Sequence, residues 1–225
     1  MRLLIDNADI QKIKEAYSIF PLQGVTTNPS ILAAGGRPPF EVLREIREFI
    51  GKQADLHVQV VAREAEGILA DADRILQELG ANTYVKVPVT QAGLQAMKSL
   101  KRQGIRITAT AIYTPMQAYL AGEAGAEYAA PYVNRIDNLG ADGIRTAKMM
   151  HDIFTCNDMP VHVLAASFKN SQQVIELCAH GIGAATVTPD ILFGLLRNDS
   201  VDRAIDVFTA DFEKLCGAGR TMSSL

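Results

Sequence analysis

Residues 83–104, TYVKVPVTQAGLQAMKSLKRQG, hold one complete strand–turn–helix unit and one residue that packing alone does not explain. Thr83-Tyr84-Val85-Lys86-Val87 is a short run of β-branched and aromatic residues, the composition of a buried strand. From Thr90 onward the period changes. Leu94, Met97, Leu100 and Lys101 fall near 3.6-residue spacing, and Gly104 stands just past the end, where glycine closes a helix. A strand feeding directly into a helix is the repeating unit of folds built on a parallel sheet.

The same alternation runs outward in both directions. Candidate strands are Arg2 to Asp6, Gly24 to Thr26, His57 to Val60, Thr83 to Val87, Ile105 to Thr110, Tyr128 to Tyr132, Val161 to Ser167 and Ala184 to Thr188, each followed by a plausible helix. Pro29, Pro115 and Pro189 fall at helix starts, where the missing amide proton costs nothing. About eight such units predict an α/β fold of the (β/α)8 TIM-barrel type. A doubly wound open sheet is the rival, but that fold usually carries a glycine-rich loop after its first strand, and here the position reads Asp6-Asn7-Ala8-Asp9.

The chain of 225 residues fits one barrel domain over 1–225. After the eighth unit, Val201 to Leu215 reads as an additional C-terminal helix with Ala204, Val207, Phe208, Phe212 and Leu215 on one side. It has no barrel strand to cover. It either caps a barrel mouth or packs on a neighbouring subunit, and its terminal position and generous apolar face favour the neighbour.

Hydrophobic residues at 48% and charged residues at 21% describe a soluble globular chain with a sizeable core. A net charge of -3, with no basic block or basic-aromatic stripe, argues against nucleic acid as a partner. Met1 to Ile5 is too short an apolar run for a signal peptide, and no stretch of about 18 uninterrupted apolar residues occurs, so neither export nor membrane insertion is expected. Cys156, Cys178 and Cys216 are odd in number and widely spaced, which suits reduced thiols on helices and a cytoplasmic location. The four histidines, His57, His151, His162 and His180, share no metal-ligand spacing, so no metal site is expected.

In a barrel the inward side chains at the C-terminal strand ends form the active site. Counting alternate residues gives Asp6, Gln59, Lys86, Thr110, Tyr132 and Ser167 as that inward series, with His162 pointing away from the axis. Lys86 is the most informative, because a lone cation in an apolar strand is costly to desolvate. A free lysine of pKa about 10.4 offers only about one neutral amine in a few thousand at pH 7, and burial lowers that pKa to create a nucleophile. The alternative is a structural lysine paired with a buried carboxylate. Asp6 similarly reads as a catalytic group, a helix cap or the partner of Lys86.

Thr26-Thr27-Asn28-Pro29-Ser30 could be only a turn entering a helix. Asn134-Arg135 and Ser167-Phe168-Lys169-Asn170 follow the sixth and seventh strands, where barrels often bind phosphate, although either could equally be solvated surface.

Four segments in order carry a resemblance: Gly24-Val25-Thr26-Thr27-Asn28-Pro29-Ser30, Val85-Lys86-Val87-Pro88-Val89-Thr90, Ala130-Pro131-Tyr132-Val133-Asn134-Arg135 and Leu164-Ala165-Ala166-Ser167-Phe168-Lys169. Through them the chain resembles the small transaldolase-like family over nearly its whole length, and within it the fructose-6-phosphate aldolases. The resemblance implies an iminium between Lys86 and a ketose C2 carbonyl, with Asp6 handling the hydroxyl proton during carbon–carbon cleavage and no cofactor. It also implies Asn28, with Thr26 beside it, at the substrate hydroxyls, and Arg135, Ser167 and Lys169 at the phosphate. Gln59, Thr110 and Tyr132 would hold a proton-shuttling water.

Transaldolases of the family carry Glu and Phe where this chain has Gln59 and Tyr132, so the resemblance favours release of dihydroxyacetone over its transfer. It further implies a homo-oligomer, a pentamer or decamer, in which the terminal helix reaches a neighbour. Ala109, Thr114-Pro115-Met116 and Thr186-Val187-Thr188-Pro189 depart from the aldolase pattern beside the pocket.

Overall fold

A computed structural model describes residues 1–225. The first half of the barrel runs β1 (Arg2–Asp6), α1 (Ile10–Ile19), β2 (Gly24–Thr26), α2 (Pro29–Ala34), α3 (Pro39–Ile50), β3 (Asp55–Gln59), α4 (Ala65–Leu79), β4 (Thr83–Pro88) and α5 (Gln91–Arg102). The second half runs β5 (Ile107–Ile112), α6 (Pro115–Glu123), β6 (Tyr128–Pro131), α7 (Val133–Asn138), α8 (Gly143–Cys156), β7 (His162–Ala165), α9 (Ser171–His180), β8 (Ala184–Val187) and α10 (Pro189–Gly194). The strands close into a parallel barrel in sequence order, with β1 pairing both β2 and β8. The (β/α)8 barrel expected from the alternation is therefore the fold.

Two compact units make up the chain, Met1–Leu192, which holds the barrel, and Phe193–Leu225. The second contains α11 (Asp199–Cys216), capped by Asn198, whose side chain accepts from the Ser200 amide. Val207, Phe208 and Leu215 on this helix are exposed, while Ala204 and Phe212 are half-buried.

The local reasons for these elements are visible in the unit that decided the reading. Thr90 caps α5 by accepting from the Gly93 amide, and Ala96, Met97 and Leu100 turn inward and are fully buried. Burying each larger side chain contributes about 1.5–3 kcal/mol. Lys101, expected on that face, is exposed. The helix closes with the Ile105 amide donating to the Leu100 carbonyl while Gly104 takes a φ of 73°. That closure uses Ile105, so β5 starts at Ile107, later than predicted, and ends at Ile112.

Pro29, Pro115 and Pro189 each occupy the first residue of a helix, as expected. Gly24 on β2 is required by closeness: a Cβ there would lie 2.3 Å from the Asp55 carbonyl oxygen across the sheet.

Inward residues fill the barrel in layers. Leu4, Tyr84, Tyr128, Ala130, Leu164 and Ala184 form one buried cluster. Leu164 in that cluster fixes the inward parity of β7, and it corrects the count that put Ser167 inward and His162 outward. β7 ends at Ala165, Ser167 lies beyond it with a φ of 61°, and the left-handed turn, not strand alternation, sets its direction. His162 shares the Leu164 parity and meets Tyr128, with ring centroids 5.9 Å apart. Tyr132 likewise lies one residue past β6, held beside Ala166 by an isolated bridge.

Candidate active site at the C-terminal mouth

Lys86 lies near the end of β4 with 6% of its surface exposed. Its Nζ donates to the Thr27 carbonyl at 2.7 Å. Burial holds the amine below the ordinary lysine value, against an opposing pull from the Asp6 carboxylate. Asp6, at the end of β1, is pushed above the ordinary aspartate value by burial, while Lys86, the Thr26 hydroxyl and Arg135 act in the opposite direction. Both members of the pair are thus driven toward neutrality by one cause, desolvation at the barrel mouth.

The second strand holds both of them. Thr26 Oγ1 donates to Asp6 Oδ1 at 2.7 Å and lies 2.6 Å from Thr186 Oγ1. Thr27, the next residue, presents its carbonyl to Lys86 and is itself pinned by its amide and hydroxyl, which donate to the His57 carbonyl at 3.0 and 3.2 Å. Sequence reasoning gives neither Thr27 nor Thr186 a role, although it sets the segment of Thr186 beside the pocket. A carbonyl acceptor has no residue-type signature, and Thr186 looks like any β-branched strand residue.

On the opposite wall, Thr110 Oγ1 and the Tyr132 hydroxyl are 2.9 Å apart. Thr110 keeps the regular register with Pro88 on β4, and the irregularity in β5 follows it at Ala111, where φ is 57° and the register with β6 shifts between Ala109 and Ile112. Tyr113 packs edge-on against the Tyr132 ring at 5.8 Å, and the Arg135 guanidinium lies over its face at 4.5 Å. Gln59 sits opposite Lys86 in the β3–β4 register, with its Oε1 buried and without a hydrogen-bond partner in the protein.

The two clusters singled out for phosphate are joined through the backbone, since the Asn134 amide donates to the Ser167 carbonyl at 2.8 Å. Lys169 is exposed, and its amide is held by Gln173 Oε1 at 2.7 Å. Gln173 is buried and also donates to Asp137 Oδ2 at 2.7 Å, tying the loop after β7 to α7. Asn28 accepts from the Ile31 amide as the cap of α2, which leaves its amide NH2 for another partner.

Two hollows open beside Gln59. One of about 650 Å³ is bordered by Pro29, Gln59, Pro88 and Thr90, and one of about 490 Å³ by Pro29, Leu32, Phe40 and Gln59. Gln59 borders both, and neither is lined by Lys86 or Asp6, so the polar constellation, not cavity shape, defines the site. No group of three or more His, Cys, Asp or Glu side chains is placed to hold a metal ion.

A buried lysine and a carboxylate stand at the C-terminal mouth of a closed (β/α)8 barrel, the end at which barrel enzymes place their reacting groups. The family pattern for transaldolase/fructose-6-phosphate aldolase matches residues 3–222, and the chain belongs to that family of enzymes. Among its relatives is a probable fructose-6-phosphate aldolase of Streptococcus pneumoniae. The two are 42% identical over 213 residues, which is 94% of this chain and 96% of the relative. No helix is long and apolar enough to cross a membrane.

Proposed function

We propose that this chain is a Schiff-base, class I aldolase that reversibly cleaves fructose 6-phosphate to dihydroxyacetone and glyceraldehyde 3-phosphate. The observation that carries the reading is Lys86, a buried amine with lowered proton affinity and a carboxylate within electrostatic reach. The neutral amine attacks C2 of the ketose, and loss of water leaves an iminium. The C3–C4 bond then breaks, its electron pair enters the iminium to give a neutral enamine, and the C4 hydroxyl proton passes to Asp6 as the aldehyde departs. Protonation of the enamine at C3 and addition of water at C2 release dihydroxyacetone and restore the amine. The iminium is the electron sink, so this route calls for no metal or organic cofactor.

Gln59, Thr110 and Tyr132 are assigned to the water that carries these protons. The Thr110–Tyr132 hydrogen bond and the unpartnered Gln59 oxygen support that role. The free amide of Asn28 is assigned to substrate hydroxyls, with Thr26 acting beside it through Asp6. Arg135, Ser167 and Lys169 are assigned to the phosphate. A phenol relays a proton and a phenyl ring does not, so Tyr132 favours release over transfer of the dihydroxyacetone unit to a second sugar phosphate, the transaldolase reaction.

Borohydride reduction in the presence of fructose 6-phosphate or dihydroxyacetone is expected to add mass to the peptide containing Lys86, and an unmodified peptide removes the mechanism. Glyceraldehyde 3-phosphate should form from fructose 6-phosphate alone. Strict dependence on an added aldose such as erythrose 4-phosphate would reassign the chain as a transaldolase.

The exposed Val207, Phe208 and Leu215 of α11 support a contact with a neighbouring copy in a homo-oligomeric ring, a pentamer or decamer. Light scattering that finds a monomer removes this assignment. A cytoplasmic setting accords with cysteines that form no disulfide.

A further inference from the structure

The barrel interior holds a histidine that the proposed mechanism leaves unused. On β3, His57 and Gln59 share the inward face, and the register sets Gln59 opposite Lys86 and His57 opposite Tyr84. His57 therefore lies one layer below the reacting amine. Its ring is fully buried, stacks flat on Tyr84 with centroids 4.4 Å apart, and is met edge-on by Tyr128 at 5.6 Å. Its Nδ1 is 2.8 Å from the hydroxyl of Thr108, another fully buried residue, which is the register partner of Lys86 on β5. Imidazole and hydroxyl together make a polar layer beside and beneath the lysine.

A phenyl ring would stack in the same slot between Tyr84 and Tyr128. Imidazole is the costlier occupant, because its Nε2 is buried with no hydrogen-bond partner in the protein. It does not serve as a charge. Burial first, and then the positive charges of Lys86, Arg106, Arg2 and Arg47, hold its proton affinity well below the ordinary histidine value. Tyr84 and Tyr128 are the titratable groups against its ring faces and edge. What remains is a neutral imidazole bonded to a hydroxyl, and polar groups in place of hydrocarbon reduce the desolvation that a neighbouring ammonium suffers.

We propose that His57 and Thr108 are positioning residues, a neutral polar floor that keeps the proton affinity of Lys86 from falling as far as an all-hydrocarbon barrel would drive it. The proposal rests on the Schiff-base reading of Lys86. Its consequence is kinetic: an amine of very low basicity is neutral more of the time but attacks carbonyls more slowly, and the floor sets the compromise.

The test replaces both partners by apolar groups of similar shape, His57→Phe with Thr108→Val, in the full chain. The readout is the pH dependence of cyanoborohydride trapping of dihydroxyacetone on the Lys86 peptide. The midpoint of the acid limb is expected to move to lower pH by roughly half a unit to one unit, while His57→Gln, which can keep a hydrogen bond to Thr108, stays near wild type. A double-variant midpoint within about 0.2 unit of wild type, or above it, overturns the proposal. Should the double variant fail to fold, Thr108→Val alone is expected to shift the limb in the same direction by less, and no shift there overturns it equally. Wild-type protein that forms no adduct at any pH defeats the Schiff-base reading itself, a result distinct from an adduct whose limb does not move.

Discussion

The two mouths of the barrel use the same residue types to opposite ends. At the N-terminal mouth, Arg2 pairs with Asp55 at 2.6 Å and donates to the Tyr128 hydroxyl at 2.7 Å. Arg106 reaches Asp55 at 3.8 Å and Glu127 at 3.5 Å, donates to the Tyr84 hydroxyl, and lies over the Tyr84 ring at 3.9 Å. Arg2 and Arg106 each have an anion there, and the Tyr84 and Tyr128 hydroxyls each have an arginine donor. At the C-terminal mouth, Lys86 leans on a backbone carbonyl, Gln59 keeps an unpartnered oxygen, and burial works against the charges of Lys86 and Asp6. Opposite charges in direct contact hold strands together, whereas a buried amine and carboxylate driven toward their neutral forms retain the capacity to react.

By that contrast, substitutions at the two ends should separate activity from stability. Lys86→Met is expected to lower turnover by roughly 10⁴-fold or more and to abolish the borohydride adduct, measured by steady-state kinetics and peptide mass. In the wild-type protein, trapping should persist below about pH 10.4, where a free lysine gains its proton, and decline only as pH falls through the lowered value of Lys86. Asp6→Asn should cost about 10²–10⁴-fold in turnover with the melting temperature held or raised, because a buried carboxylate is removed. A fall below tenfold would take proton transfer away from Asp6.

Asp55→Asn at the other mouth should do the reverse. Its loss breaks a largely buried pair whose arginine is partly solvated, so about 2–3 kcal/mol of stability is expected to go, or roughly 5–10 °C in melting temperature. Turnover at a permissive temperature should stay within about twofold. An inactive but fully stable Asp55→Asn protein would erase the division between the mouths. The smallest effect is expected from Tyr132→Phe, which removes one hydroxyl and should alter the ratio of release to transfer several-fold with little loss of stability. An unchanged ratio would leave Tyr132 a packing residue.

The barrel was legible because its signals are local and repeated. Proline at helix starts, glycine past helix ends and a change of period at Thr90 each have a direct steric or hydrogen-bonding cause. Strand alternation located Asp6, Lys86 and Thr110 where regular β-structure continues to the site. It failed at Ser167, where a left-handed serine ends the pattern, and it gave no sign of the Ala111 irregularity, because neither position is the glycine that such a φ usually advertises. The ion network at the N-terminal mouth went unread for another reason. Arg2, Asp55, Arg106 and Glu127 are far apart in sequence, and an isolated charge at a strand start reads as solvent-facing.

The adjacent threonines, one ending β2 and one just past it, carry a mechanical implication. The Thr26 hydroxyl donates to the carboxylate of Asp6 and the Thr27 carbonyl accepts from the amine of Lys86, so groups from two separate strands are tied to adjacent residues of a third segment. A displacement of that one segment would therefore be felt by the carboxylate and the amine together, a coupling that the strands carrying them do not supply on their own.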